Sequence, residues 1–185
     1  MYGLVNRAIQ KLVTTQFGAD AWEAIKAKAG IDIPLFVGMK TYPDEVTYGL
    51  VDAASEVLGL PPERVLEAFG EYWILYTAKE GYGDLLRMSG DSLVAFLQNM
   101  DGMHARVGMA MPELRPPSFA CTDVTAAGLR LHYRSERPGL APMVVGLLRG
   151  LGTTFGTPVE VVHDVARGAD GCDHDEFVIR FVASG

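Results

Sequence analysis

Apolar residues recur at intervals of three and four along the first 111 positions, the spacing of one helical face, and at intervals of two in parts of the remainder. Leu4, Val5, Ala8, Ile9, Leu12 and Val13 form one helical stripe, ended near Gly18. Asp20, with Glu23 three residues on, reads as a capping-box start to a second helix through about Ala29. Residues 31–42 are mixed and loop-like. Pro43 suits a first helical turn, and Asp44 and Glu45 suit the positive end of the helix dipole. Val46, Leu50, Val51, Ala54, Val57 and Leu58 give that helix a face to bury, up to Gly59. Pro61 and Pro62 open a helix carrying Val65, Leu66 and Phe69, which Gly70 is expected to break before an aromatic-rich helix over 71–79. A turn at 81–83 leads to a short helix over 84–88. Leu93, Phe96, Leu97, Met100, His104 and Val107 then share one face of a helix over 91–111, capped by Ser89 or Asp91 and stopped by Pro112.

Past Pro112 the period changes. Pro116 and Pro117 fix two φ angles and make a stiff connector. Residues 119–124 are rich in strand formers, and 125–128 read as a turn. Residues 129–137 alternate strictly, with Leu129, Leu131, Tyr133, Ser135 and Arg137 on one face and Arg130, His132, Arg134 and Glu136 on the other. Residues 141–155 return to helical spacing, and 159–164 with 176–182 form a closing strand pair around a polar turn. The expected fold is α+β in a single domain over 1–185. A helical N-terminal lobe (1–60) precedes a lobe (61–185) with a small antiparallel sheet of about four strands.

Charge narrows the function. A net charge of −7, with no cluster of lysine or arginine, argues against a nucleic-acid or anionic-membrane surface. Two cysteines cannot build a disulfide framework and suit a reducing compartment. No signal peptide or membrane-length apolar run is visible, so a cytoplasmic, soluble protein is expected. No P-loop, dinucleotide-binding turn or Ser-His-Asp pattern points to an enzyme.

The chemistry converges on His104. A lone imidazole on an apolar stripe is either a core histidine satisfied by a backbone carbonyl or the axial ligand of a buried metal cofactor. The strand face ending in Tyr133, Ser135 and Arg137 is the second odd feature. It begins apolar and finishes with three hydrogen-bonding side chains, which either run out into solvent or hold an anion. Haem propionates are such an anion, and arginine is the side chain best shaped for carboxylate.

MYGLVN at 1–6, GYGDLL at 81–86, FLQNMDGMH at 96–104, RPPSF at 115–119 and Tyr133-x-Ser135-x-Arg137 stand in an order and spacing that resembles the H-NOX family. This haem nitric-oxide/oxygen-binding family includes the haem domain of soluble guanylate cyclase. The resemblance spans essentially the whole chain. It implies haem b buried between the two lobes and His104 as the proximal iron ligand. It further implies Tyr133, Ser135 and Arg137 on the propionates, with Pro117 pressing on the porphyrin. Leu4, Val5 and Ile9 are expected on the distal side, with Trp73 as a distal candidate and Met100 as filler beside the cofactor.

Oxygen-binding members of the family carry a distal tyrosine five residues past the motif's arginine, and here that position is Pro142. The resemblance therefore implies a nitric oxide sensor that excludes O₂, with CO as a second ligand. Weakening of the iron–histidine bond would pass a conformational change to a partner in trans, either a sensor histidine kinase or a diguanylate cyclase/phosphodiesterase. The alternatives are an O₂ sensor using the Trp73 indole N–H as donor, a haem enzyme with peroxidase-like activity, or a haem-free anion-binding domain. Some relatives carry a structural zinc near the C-terminal hairpin on cysteines and a histidine. Here His163, Cys172 and His174 offer at best three ligands, and exposed polar residues around a turn are expected instead. Cys121 is expected to be a packed, unreactive thiol, and His132 to be solvated.

Overall fold

The computed structural model describes residues 1–77 and 81–182, so the end of the helix expected over 71–79 lies outside the described residues. Helices α1 (Gly3–Phe17), α2 (Ala19–Lys28), α3 (Asp44–Leu58), α4 (Pro62–Thr77), α5 (Gly83–Met88), α6 (Leu93–Gln98) and α7 (Met100–Ala110) come first. Strands β1 (Ser118–Thr125) and β2 (Gly128–Arg134), helix α8 (Ala141–Thr154), then β3 (Val159–Val165) and β4 (Asp175–Phe181) follow. The strands form one antiparallel sheet of four, as expected of the α+β fold, in the order β1-β2-β4-β3. Among the described residues no helix is long and apolar enough to cross a membrane.

Two apolar clusters hold the fold. Trp22, Ile25, Phe36 and Leu50 of the N-terminal region pack with Phe69 and Tyr76 of α4. Leu131, Phe177 and Ile179 of the sheet pack with Leu148 and Leu151 of α8, Phe96 and Leu97 of α6, and Ile74 of α4. Each such fully buried side chain stabilises by about 1.5–3 kcal/mol. Helix α4 thus belongs to both clusters and joins them.

Four expectations change. Gly70 does not break a helix but lies inside α4, where it lets α8 approach: a Cβ there would stand 2.1 Å from the Met143 carbonyl oxygen. Asp20 does not cap α2. The cap is Gly18, at φ 89°, and Asp20 sits in the first turn, where its charge still suits the dipole. The helix expected over 91–111 is two helices meeting at Asn99 (φ −104°), and its cap is Ser92, whose hydroxyl accepts from the Ala95 N–H at 3.2 Å. The strand expected to reach Arg137 ends at Arg134, where the pairing with β1 stops. Beyond it the Ser135 hydroxyl accepts from the Arg137 N–H at 3.1 Å, a local turn that replaces the ladder.

Candidate functional site

The two clusters do not close on each other completely. Between them lies a cavity of about 890 Å³, near the top of the range for sites that bury a small ligand. Helix α1 contributes Leu4, Val5 and Ile9, and α4 contributes Leu66, Phe69 and Trp73. Facing them are Met103, His104 and Val107 of α7, with Met100, Pro117, Phe119 and Tyr133 beside them. Ser135 and Arg137 stand at one edge, and Met143, Val144 and Leu147 come from α8.

His104 is half-buried, and its Nδ1 is fully buried with no hydrogen-bond partner among the described residues. Burial holds its pKa below the usual 6.5, while the Asp101 charge and the Pro117 carbonyl pull the other way. Its ring lies 5.9 Å from that of Phe119, which lies 5.4 Å from that of Tyr133. Asp101, one turn before His104, accepts from the Phe119 N–H at 2.8 Å and ties α7 to β1. A neutral imidazole with an unmatched nitrogen at the wall of an apolar cavity is costly unless a further group completes it.

At the edge, Tyr133 is buried, and burial pushes its phenol up, with Ser135 and Arg137 working against that. Arg137 donates from Nε to Asp44 Oδ2 at 2.7 Å and from Nη1 to the Arg115 carbonyl at 2.8 Å. The terminal ammonium of Met1 also reaches Asp44, at 2.5 Å. Burial pushes the Asp44 carboxyl up, but Arg137 and this ammonium outweigh it and hold the group below the usual carboxylate range.

The residues singled out in the sequence therefore come together, with one exception. Pro142 does not line the cavity. It lies in the first turn of α8, and about 100° of rotation per residue turns it away from the face shared by Met143, Val144 and Leu147. Asp44, Asp101 and Phe119 escape sequence reasoning as site residues. The only local signals are the place of Asp44 at a helix start and the short step from Asp101 to His104.

At the C-terminal hairpin, His163 does not join Cys172 and His174. Its Nε2 lies 2.8 Å from Asp175 Oδ1, and its ring stacks on Phe177 with centroids 4.9 Å apart. His132 is not solvated but half-buried, with Nδ1 2.9 Å from His174 Nε2. Cys121 is half-buried, and burial pushes its thiol up to about 11, so it is no ready thiolate.

A family model described as Haem-NO-binding matches residues 2–163. Soluble guanylate cyclase gcy-35 of Caenorhabditis elegans is 36% identical over 156 residues, which are 80% of this chain and 22% of that protein. Soluble guanylate cyclase 89Da of Drosophila melanogaster is 24% identical over 155 residues, 84% of this chain and 23% of that protein. The chain thus spans about a fifth of the length of these curated relatives. An H-NOX protein from S. oneidensis in the Fe(II)NO ligation state superposes with a TM-score of 0.87 at 22% identity, over 99% of this chain and 100% of that one. The Fe(II) unliganded H-NOX protein from K. algicida gives 0.85 at 19% identity, over 100% and 98%. Family match and shared fold agree with the cavity and its histidine: the chain belongs to the Haem-NO-binding family and is an H-NOX domain related to the haem domain of soluble guanylate cyclase.

Proposed function

We propose that this domain is a cytoplasmic, non-enzymatic sensor of nitric oxide that holds ferrous haem b, with His104 as the protein ligand to its iron. The observation that carries the reading is the half-buried His104 imidazole at the wall of the large apolar cavity, whose Nδ1 is buried and has no hydrogen-bond partner among the described residues. The residues present fit the group: one nitrogen donor, a mostly apolar lining, and a phenol, a hydroxyl and a guanidinium gathered at one edge. When bound, haem would supply an iron atom able to take up a diatomic gas.

The chain's own residues do the rest. Burial keeps His104 neutral at physiological pH, so a ring nitrogen has its lone pair available for a metal. Arg137, Tyr133 and Ser135 would hold the propionates. The grip of Arg137 on the Asp44 carboxylate is an example of that guanidinium–carboxylate chemistry. Pro117 and Met100 line the same cavity and would pack against the group, and Leu4, Val5 and Ile9 line the cavity from α1.

Selectivity comes from the wall of Leu4, Val5 and Ile9, whose side chains carry no hydrogen-bond donor. Bound O₂ carries partial negative charge and needs a free donor, whereas NO does not. NO is therefore retained and O₂ refused, with CO accepted as a neutral ligand. Trp73, the one indole lining the cavity, carries the second reading of an O₂ sensor. The signal leaves through α7, a short helix jointed at Asn99, whose displacement re-poses the N-terminal lobe (1–60) against the remainder. The receiver is a sensor histidine kinase or a diguanylate cyclase/phosphodiesterase acting in trans.

The test is the absorption spectrum of the dithionite-reduced protein, exposed separately to air and to NO. The expected result is a Soret band that shifts with NO and no oxy complex in air. A stable oxy complex would overturn the selectivity and favour Trp73. No Soret band after addition of hemin would overturn the cofactor.

A further inference from the structure

On the face of the sheet turned away from the haem cavity, three donors from two strands converge. His132 and Glu176 are directly paired across β2 and β4, so their side chains share a face, and His174 stands two residues before Glu176. His132 Nδ1 lies 2.9 Å from His174 Nε2 and 3.6 Å from Glu176 Oε1, and His174 Nε2 lies 3.4 Å from that same oxygen. We propose that His132, His174 and Glu176 form a binding site for one zinc ion, which clips the start of β4 to β2.

The distances favour a metal over a hydrogen-bonded pair. Donors about 2.0–2.1 Å from a tetrahedral zinc stand about 3.3 Å from one another, and the three observed separations bracket that value. A proton shared between the imidazoles would account for the 2.9 Å contact alone. It would leave Oε1 at 3.4 and 3.6 Å, beyond good hydrogen-bond geometry.

Each donor is also oriented from behind, as metal ligands are. Thr122 Oγ1 lies 2.9 Å from His132 Nε2, which directs the other nitrogen inward. His174 is buried, and its Nδ1 lies 2.5 Å from Asp173 Oδ1, a carboxylate that fixes the proton on Nδ1 and leaves Nε2 free to ligate. Arg130 donates to Glu176 Oε2 at 2.8 Å, turning Oε1 toward the imidazoles. Two imidazoles and a carboxylate suit Zn²⁺, with water in the fourth position. The set is not the cysteine-rich one expected for zinc in some relatives: His163 is outside it, and Cys172 Sγ lies 3.6 Å from the opposite nitrogen of His174.

The experiment is equilibrium dialysis of the full chain against micromolar ZnCl₂, with zinc per chain read by mass spectrometry. This readout is independent of haem content, so the haem reading and this one fail separately. Wild type and His163→Gln are expected to retain one zinc. His132→Gln and Glu176→Gln are expected to bind about 100-fold more weakly or worse, and Thr122→Val, an exposed change safe for folding, about 10- to 100-fold more weakly. Wild type without zinc would overturn the proposal. So would zinc retained in full by His132→Gln, or zinc lost in Cys172→Ser while His132→Gln keeps it.

Discussion

Helices α4 and α8 approach each other closely through glycine, and the contact is open to a direct test. A Cβ added at Gly146 of α8 would stand 1.9 Å from the Glu67 carbonyl oxygen and 2.7 Å from its carbon. A Cβ at Gly70 of α4 would meet the Met143 oxygen at 2.1 Å and the Leu147 nitrogen at 2.7 Å. These are main-chain atoms, which cannot rotate away, so either alanine forces the helices apart. Alanine regains about 1 kcal/mol of helix propensity over glycine. Overpacking of a tight contact costs about 1–3 kcal/mol and more where no side chain can yield. We expect a net loss of about 2 kcal/mol for Gly146→Ala, and for a chain of this size that lowers the melting temperature by about 4–8 °C. Gly49, inside α3 with no neighbour within 4 Å of its added Cβ, is the control. Gly49→Ala is expected to raise the melting temperature by about 1–4 °C, since only propensity and unfolded-chain entropy change. The assay is thermal unfolding followed by circular dichroism at 222 nm. The double variant Gly70→Ala/Gly146→Ala is expected to lose less than the two singles together, because helices already separated no longer clash. A Gly146→Ala protein that melts at or above the wild type would refute the reasoning.

Three further outcomes follow from the site. His104→Gly removes the nitrogen donor and is expected to abolish stable haem retention; an unchanged haem-to-protein ratio after gel filtration would count against the assignment. Arg137→Met removes a charge-assisted hydrogen bond to carboxylate, worth about 1.5–3 kcal/mol, so hemin affinity by competition is expected to fall about 10- to 100-fold with an unchanged ferrous spectrum. Burial of neutral His104 also makes the haem-free fold sensitive to acid. Because its folded-state pKa lies below 6.5, the unfolded chain takes the proton first, and stability present above that pH is lost as the pH falls below it. Urea midpoints measured from about pH 7 to 5 are expected to fall, and His104→Gln is expected to flatten the fall.

What the sequence shows of this molecule depends on how far apart the interacting residues are. Stripes such as Ala8, Ile9, Leu12 and Val13 are legible because burial selects side chains at the helix's own period. Asn99 is not, because the joint preserves the stripe: Leu93, Phe96, Leu97 and Met100 remain buried on both sides of it. What makes the joint is a set of contacts that the apolar period does not record. The Asn99 amide donates to the Ser89 carbonyl at 3.1 Å, and a Cβ at Gly102 would stand 2.5 Å from Asn99 Oδ1, so only glycine leaves room for that rotamer. Gly70 reads as a breaker for the same reason, since the α8 backbone that requires it is supplied by a distant part of the chain.

The site follows the same division. His104 and the Tyr133-x-Ser135-x-Arg137 run stand out because their residue types conflict with an otherwise apolar setting, and that conflict is visible locally. The partners that give them geometry are remote: Asp44 lies 93 positions from Arg137, and His174 lies 42 from His132. Strict alternation correctly places His132 on the face of β2 opposite Tyr133. Facing outward is nevertheless not the same as being solvated. The chain returns through the Ala169–Gly171 turn and lays His174 against His132, so an outward position becomes half-buried. A charge or imidazole on the polar face of a strand therefore cannot be assigned to water until the neighbouring strand's register is known. In this sheet that register, His132 opposite Glu176, turns two unremarkable polar positions into part of a converging set of donors.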